Sequence, residues 1–367
     1  MTNNPYLFKE NWLESRERFI KWWNRDDFLV GSWCAPKRAT SHDASIRYPE
    51  RPHSMHTYYH DVNFRVQANH WSMANGNYGL DILPIADTAV GPGSLALYLG
   101  SDAHLAEKEG TVWYPPIWKD CTDVLTLPEL KLDRDCYWWK KAMELLKKST
   151  ALAEGLYMVG CEDLIENLDI VAALRDPQTV MLDLIENPDW LKQKIREVNV
   201  AWFEAYQAIY DIIKAPDGGT VFWAFMIWGP GKTAKVQCDA CAMISPAMFE
   251  EFVLPSLTEQ CQWLDYSMYH LDGSQCMDKV NLLLSIEALD AIEWTPEPTK
   301  PSGGDPYWYP FYRKIIEAGK SVQAVGVKPH EVVPLINAVG TKGIYILAEL
   351  KEPEALEAVA AQVRQFR

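Results

Sequence analysis

From Pro246 to the carboxyl end, the sequence repeats one pattern, and that pattern limits the fold more than any other feature. A stretch with apolar residues at helical spacing leads into a short apolar run, then a turn, and the pair recurs. The helical stretches begin near Pro246, Met277, Trp308, Pro329 and Glu352, and the runs between them are Asp265 to His270, Asp290 to Trp294, Ser321 to Gly326 and Gly343 to Glu349. Runs this short and this apolar suit strands buried on both faces. That means a parallel sheet covered by the helices that connect its strands.

The first two thirds of the chain supply four more strand candidates: Leu29 to Trp33, Gly79 to Asp87, Leu156 to Gly160 and Val221 to Trp228. Eight strands alternating with helices over 367 residues predict an α/β fold, a closed (β/α)8 TIM barrel whose active site opens at the carboxyl ends of the strands. An open doubly wound sheet would share the pattern, but no GxGxxG follows any of these strands, so its dinucleotide-binding form is disfavoured. We expect one domain spanning 1–367, with a helical extension over 1–28. Segments 34–75 and 99–130 lack a clean period and read as lids or loop insertions; the first holds His42, His53, His56 and His60, the second Trp113 and Trp118. The stretch GPGKTAKVQCDACAMISP, after Trp228, reads as a loop that ends at a helix opened by Pro246.

Charge narrows the function. There are 35 Lys and Arg against 50 Asp and Glu, a formal charge of -15, and no basic tract, so a nucleic-acid or anionic membrane partner is not expected. The amino-terminal sequence lacks the pattern of a secretory leader, and no apolar run is long enough to cross a bilayer. Eight scattered cysteines suit free thiols in a reducing cytoplasm. Sixteen tryptophans are the compositional oddity, because each buried indole N–H wants a partner.

In a barrel, polar residues at the carboxyl ends of strands are the first candidates for chemistry. Here they are Asp87, Glu162 with Asp163, His270 with Asp272, Glu293 and Glu349. The sequence HLDG, His270 to Gly273, follows a strand directly and puts an imidazole and a carboxylate two residues apart. Glu349, at the end of the last strand, completes a His/Asp/Glu set able to hold zinc or another divalent ion. Catalytic candidates are therefore His270, Asp272, Glu349 and Asp87. The expected substrate pocket draws on Trp228, Tyr269, Glu293 and Trp294 from the strands, with Glu162 beside them and Trp71 and Trp113 from the loops. The plainer alternative has His270 bonded to a backbone carbonyl and the acids holding loops.

Cys238 and Cys241 have CxxC spacing without a second such pair, and Cys276 lies six residues past His270; all three are weaker metal candidates. GPGK, from Gly229, is not a P-loop. No GxSxG elbow or HExxH helix is present.

The stretches ISPAMFEEFVLPSL, Ile244 to Leu257, and YHLDG, Tyr269 to Gly273, resemble the uroporphyrinogen decarboxylase superfamily, closest to its cobamide-dependent methyltransferase branch. The resemblance runs from about Gly79 onward and implies a (β/α)8 barrel. It also implies, in the methyltransferase branch, zinc held by a His-x-Cys pair and a later Cys. His270 matches the first position, Asp272 stands in place of the Cys, and Glu349 falls near the last. The decarboxylase branch's arginine-rich amino-terminal clamp has no counterpart among Arg38, Arg47, Arg51 and Arg65. The expectation is thus transfer of a methyl group from a small O- or N-methylated molecule to a corrinoid carried by a separate corrinoid-binding protein, in the cytoplasm, with a homodimer left open. The alternatives are a metal-dependent lyase, decarboxylase or hydrolase of a small acid, and a non-catalytic small-molecule binding protein.

Overall fold

A computed structural model describes residues 4–50, 54–108 and 110–367, so Arg51 and His53 lie outside the described residues. Its strands are β1 (Leu29–Gly31), β2 (Ile85–Ala86), β3 (His104–Ala106), β4 (Thr111–Trp113), β5 (Met158–Val159), β6 (Thr220–Phe222), β7 (Ile227–Gly229), β8 (Thr233–Gln237), β9 (Tyr266–Asp272), β10 (Ala291–Thr295), β11 (Ser321–Val327) and β12 (Ile344–Ala348). Six of them form one parallel ladder in the order β1-β12-β11-β10-β9-β8. The regular carboxyl-terminal alternation is therefore what it promised: each strand is followed by a helix that packs back on the sheet.

The other side of the ring is built from shorter pieces. The Asp81 N–H bonds to the Val30 carbonyl at 2.9 Å, β2 pairs in parallel with β5, and Cys161 bridges to Phe222 of β6. The hydrogen-bonded ladder does not run unbroken through eight strands. Pro84, directly before β2, and Pro92, shortly after it, have no N–H to give to a ladder.

One strand is displaced from its expected place. Val221 to Trp228 is not a single strand but an antiparallel hairpin of β6 and β7, and the fourth long barrel position is taken by β8, inside the segment expected to be a loop. TAKVQ carries Thr, Lys and Gln on alternate positions, which reads as polar, yet all five residues are buried. Their polar side chains point into the ring.

The hairpin turn enters the ring as a plug. Phe225 and Met226 both take positive φ, 64° and 54°, a region that side chains disfavour. Two inward side chains hold the turn there: Gln323 Nε2 donates to the Phe225 carbonyl at 2.8 Å, and the Tyr345 hydroxyl to the Met226 carbonyl at 3.1 Å.

The amino-terminal helix, Trp12–Trp23, closes the opposite end with its aromatic face. Trp12 meets Trp228 edge-on at 5.2 Å, and the Trp23 indole donates to the Trp228 carbonyl. The 34–75 segment contributes two helices, Met55–His60 and Val62–Asn75, and 99–130 contributes the β3/β4 hairpin. Among the described residues, no helix is long and apolar enough to cross a membrane.

Candidate metal centre

Strand register builds the site. Across the ladder Gln237 of β8 stands opposite His270 of β9, His270 opposite Glu293 of β10, and Glu293 opposite Gln323 of β11. Side chains two apart on a strand share a face, so the next inward layer holds Asp272 above His270 and Asp239 above Gln237. The outcome is a group of three potential ligands, Asp239, His270 and Asp272, whose donor atoms all lie within 4.8 Å of one another.

His270 is held on its far side. Its Nδ1 bonds to Glu293 Oε2, and the other oxygen of that fully buried carboxylate accepts from Thr295 Oγ1 at 2.6 Å. This leaves Nε2 as the nitrogen available for a ligand. Burial works against a charged ring, but the carboxylate in contact outweighs it and holds the His270 pKa above its ordinary value. Burial also raises Glu293. Asp272 is raised as well, by burial, with Asp239 adding to the effect. Two carboxylates this close carry surplus negative charge that a divalent cation would neutralise.

Asp239 is fixed through its backbone. Its N–H and that of Ala240 donate to the half-buried Asp169 carboxylate at 2.7 and 2.8 Å. Burial and then the neighbouring Asp239 charge push Asp169 up to about 6. The Phe225 ring lies 4.6 Å from the His270 imidazole and 4.7 Å from Trp33, which gives the site an aromatic wall.

Neither a family model nor a curated protein matches the sequence. Among solved structures, a methyltransferase from Methanosarcina mazei shares 13% identity, with 96% of this chain and 98% of that one covered and a TM-score of 0.61. The two chains share a fold. A B12-independent methionine synthase from Shewanella sp. W3-18-1, solved with selenomethionine, is 10% identical over 93% of this chain and 98% of its own, with a TM-score of 0.48.

Within this fold, the sequence candidates separate. His270, Asp272 and Glu293 come together. Glu349 stays outside the group: it is exposed just past β12, its N–H bonded to the Val327 carbonyl, and Asp239 takes the third place. Asp239 had a signal in the sequence, since it sits two residues past Gln237 as Asp272 sits two past His270, but only once TAKVQ is recognised as a strand.

Asp87 and Glu162 stand at the ends of β2 and β5. Arg65, buried and lying over the Tyr58 ring at 4.6 Å, pairs with Asp87 at 3.4 Å. The Tyr98 hydroxyl donates to Glu162 Oε1 at 2.7 Å, and burial pushes Glu162 up to about 7. Lys235, also inward, pairs with Asp163 Oδ2 at 2.9 Å.

Most of the tryptophans expected in the pocket do other work. Trp228 is core, packed on Trp12, at the end away from His270. Trp294 alternates away from Glu293 and packs on Trp308 and Phe311, at 4.8 and 5.3 Å, in the outer layer. Tyr269, next to His270 and therefore on the opposite face, is buried too. Trp71 packs against Tyr48, and Trp113 is exposed on β4.

The cysteine expectation needs correcting. Cys241 and Cys276 are joined in a disulfide, so neither is a free thiolate ligand in this state. Cys238 is a buried thiol whose pKa burial drives well above the ordinary value, which disfavours the thiolate that binds metal.

Proposed function

We propose that the chain is a metal-dependent methyltransferase, moving a methyl group from a small O- or N-methylated compound to the cobalt of a separate corrinoid protein. The observation that carries this reading is the Asp239, His270 and Asp272 group at the carboxyl ends of β8 and β9, in a fold shared with a methyltransferase. Three ligands with room for a fourth are the pattern of catalytic rather than structural zinc sites, and one imidazole with two carboxylates suits zinc or a comparable divalent ion. A divalent ion bound there supplies Lewis acidity toward the heteroatom that loses its methyl group.

The chain's own residues do the rest. Glu293 fixes the His270 ring with Nε2 forward, the carboxylate–imidazole arrangement that orients metal-binding histidines. Phe225 and Trp33 offer an apolar surface against which a methyl group can rest. Asp239 and Asp272 make this side of the mouth acidic, which favours a neutral or cationic donor over an anion. With oxygen and nitrogen ligands and no free thiolate, the site suits ether, hydroxyl or amine leaving groups.

The test is a spectroscopic titration of the zinc-loaded protein with reduced corrinoid protein and a panel of O- and N-methylated donors. The methylated corrinoid spectrum should appear with at least one donor and be lost in His270→Ala. Failure across a broad panel overturns the reading, and donor turnover without any corrinoid protein would favour a lyase or hydrolase.

A further inference from the structure

Asp239 lies on the loop after β8, whereas His270 and Asp272 close β9, whose own loop follows. Asp239 opens a short 3-10 turn, Asp239–Met243, after β8, and a second such turn, Ser274–Lys279, follows β9 and Gly273. Each is anchored on its own side. The first is tied through Asp239 and Ala240 to Asp169; the second is tied to β10 through the Gly273 N–H to the Thr295 carbonyl at 3.1 Å and the Ser274 N–H to Glu297 at 3.1 Å. A covalent bond joins them: Cys241, two residues past Asp239, is linked to Cys276, four past Asp272, with a Cα–Cα distance of 5.8 Å.

We infer that the Cys241–Cys276 disulfide positions Asp239 against His270 and Asp272, and that its reduction weakens metal binding, so the site is under redox control. The inference rests on the metal-site reading above. A disulfide in a chain whose other six cysteines are free is an isolated element, not a staple framework. It also crosses the one boundary, between two separately anchored loops, where a small shift would separate the ligands. Metal ligands held loosely lose affinity, and supporting contacts are commonly worth about 10–100-fold.

The chemistry balances with an external dithiol as reductant. Its thiolate attacks one sulfur of the pair and forms a mixed disulfide, its second thiol displaces the protein sulfur, and Cys241 and Cys276 are left as two thiols while the reductant becomes a disulfide. Both sulfurs are buried, so the attack requires the 239–243 turn to open. Metal held by Asp239 opposes that opening. Linkage is reciprocal: a tenfold loss of metal affinity on reduction means that bound metal shifts the disulfide's potential by about 30 mV toward the oxidised state.

The experiment titrates the full chain with zinc against a chromophoric chelator, under argon, as the oxidised protein, the dithiol-reduced protein and the Cys241→Ser/Cys276→Ser variant. Mass spectrometry reports the state of the bond and circular dichroism the fold. The inference expects zinc affinity at least tenfold weaker in the reduced and Ser forms with the fold retained, and slower reduction of the bond when zinc is present. The reduced wild-type chain serves if the variant does not fold. Equal affinity in both redox states overturns it, and so does tighter binding with sulfur-to-metal charge transfer on cobalt substitution, which would make the cysteines ligands. No binding to the oxidised protein overturns the metal-site reading and this inference together.

Discussion

The buried carboxylate of Glu293 and the Nδ1 of the half-buried His270 meet in a hydrogen bond across adjacent strands, at a position where the two residues are in direct register. The bond chooses which imidazole nitrogen faces the ring interior. Glu293 is thus a positioning residue for whatever His270 touches.

Replacing Glu293 by Ala should weaken zinc binding by about 10–100-fold, the usual effect of losing a partner that orients a ligand histidine. Glu293→Gln, which keeps an acceptor but not the charge, should lose less. Competitive zinc titration checks both, and an unchanged affinity in Glu293→Ala would remove the orienting role.

Glu162 provides a pH test on stability. Its folded pKa is raised to about 7 by burial, above the carboxylate's ordinary 4.5, so the folded chain holds a proton there that the unfolded chain releases. That contribution is fully present below about pH 4.5 and is lost as pH rises through about 7. Relative to wild type, Glu162→Gln should therefore gain about 3 kcal/mol between pH 4.5 and pH 8, at about 1.4 kcal/mol per pKa unit. Denaturant melts at several pH values measure it. A stability difference that stays flat with pH would show that Glu162 is not held protonated.

Phe225 is a third case, because its backbone and side chain pull in opposite directions. The ring packs on His270 and Trp33, yet φ of 64° is strained for any residue with a side chain. Phe225→Ala loses the ring and keeps the strain, whereas Phe225→Gly loses the ring and relieves it. The Gly variant should be more stable than the Ala variant by about 1 kcal/mol, the reverse of their usual order. Thermal melts of the pair decide, and Ala above Gly would place the turn in another conformation.

How much of this was legible in the sequence follows from how burial hides pattern. From Pro246 onward, the strands are longer and mostly apolar and the helices have a clear stripe, so both stand out. In the first two thirds the strands before β8 shrink to two or three residues, and β8 looks polar because Lys235 and Gln237 point into the ring, where Lys235 pairs with Asp163 and with Gln237 of its own strand. Missing β8 meant missing Asp239, which only the register of β8 on β9 brings beside His270. His270 and Asp272 were readable because HLDG follows an apolar run. Glu349 met the same positional rule, but a strand end fixes height on the ring and not the direction of the side chain. The tryptophans misled for a similar reason: alternation sends Trp294 outward when Glu293 points in.

The most direct test is the metal content of the purified chain after zinc loading and desalting, measured by elemental analysis for wild type, Glu349→Ala and an Asp239→Ala/His270→Ala/Asp272→Ala variant whose fold is verified by circular dichroism. We predict about one zinc per chain for wild type and Glu349→Ala and none for the triple variant, in line with a single three-residue site. Metal retained by the triple variant, or lost with Glu349, would contradict the assignment.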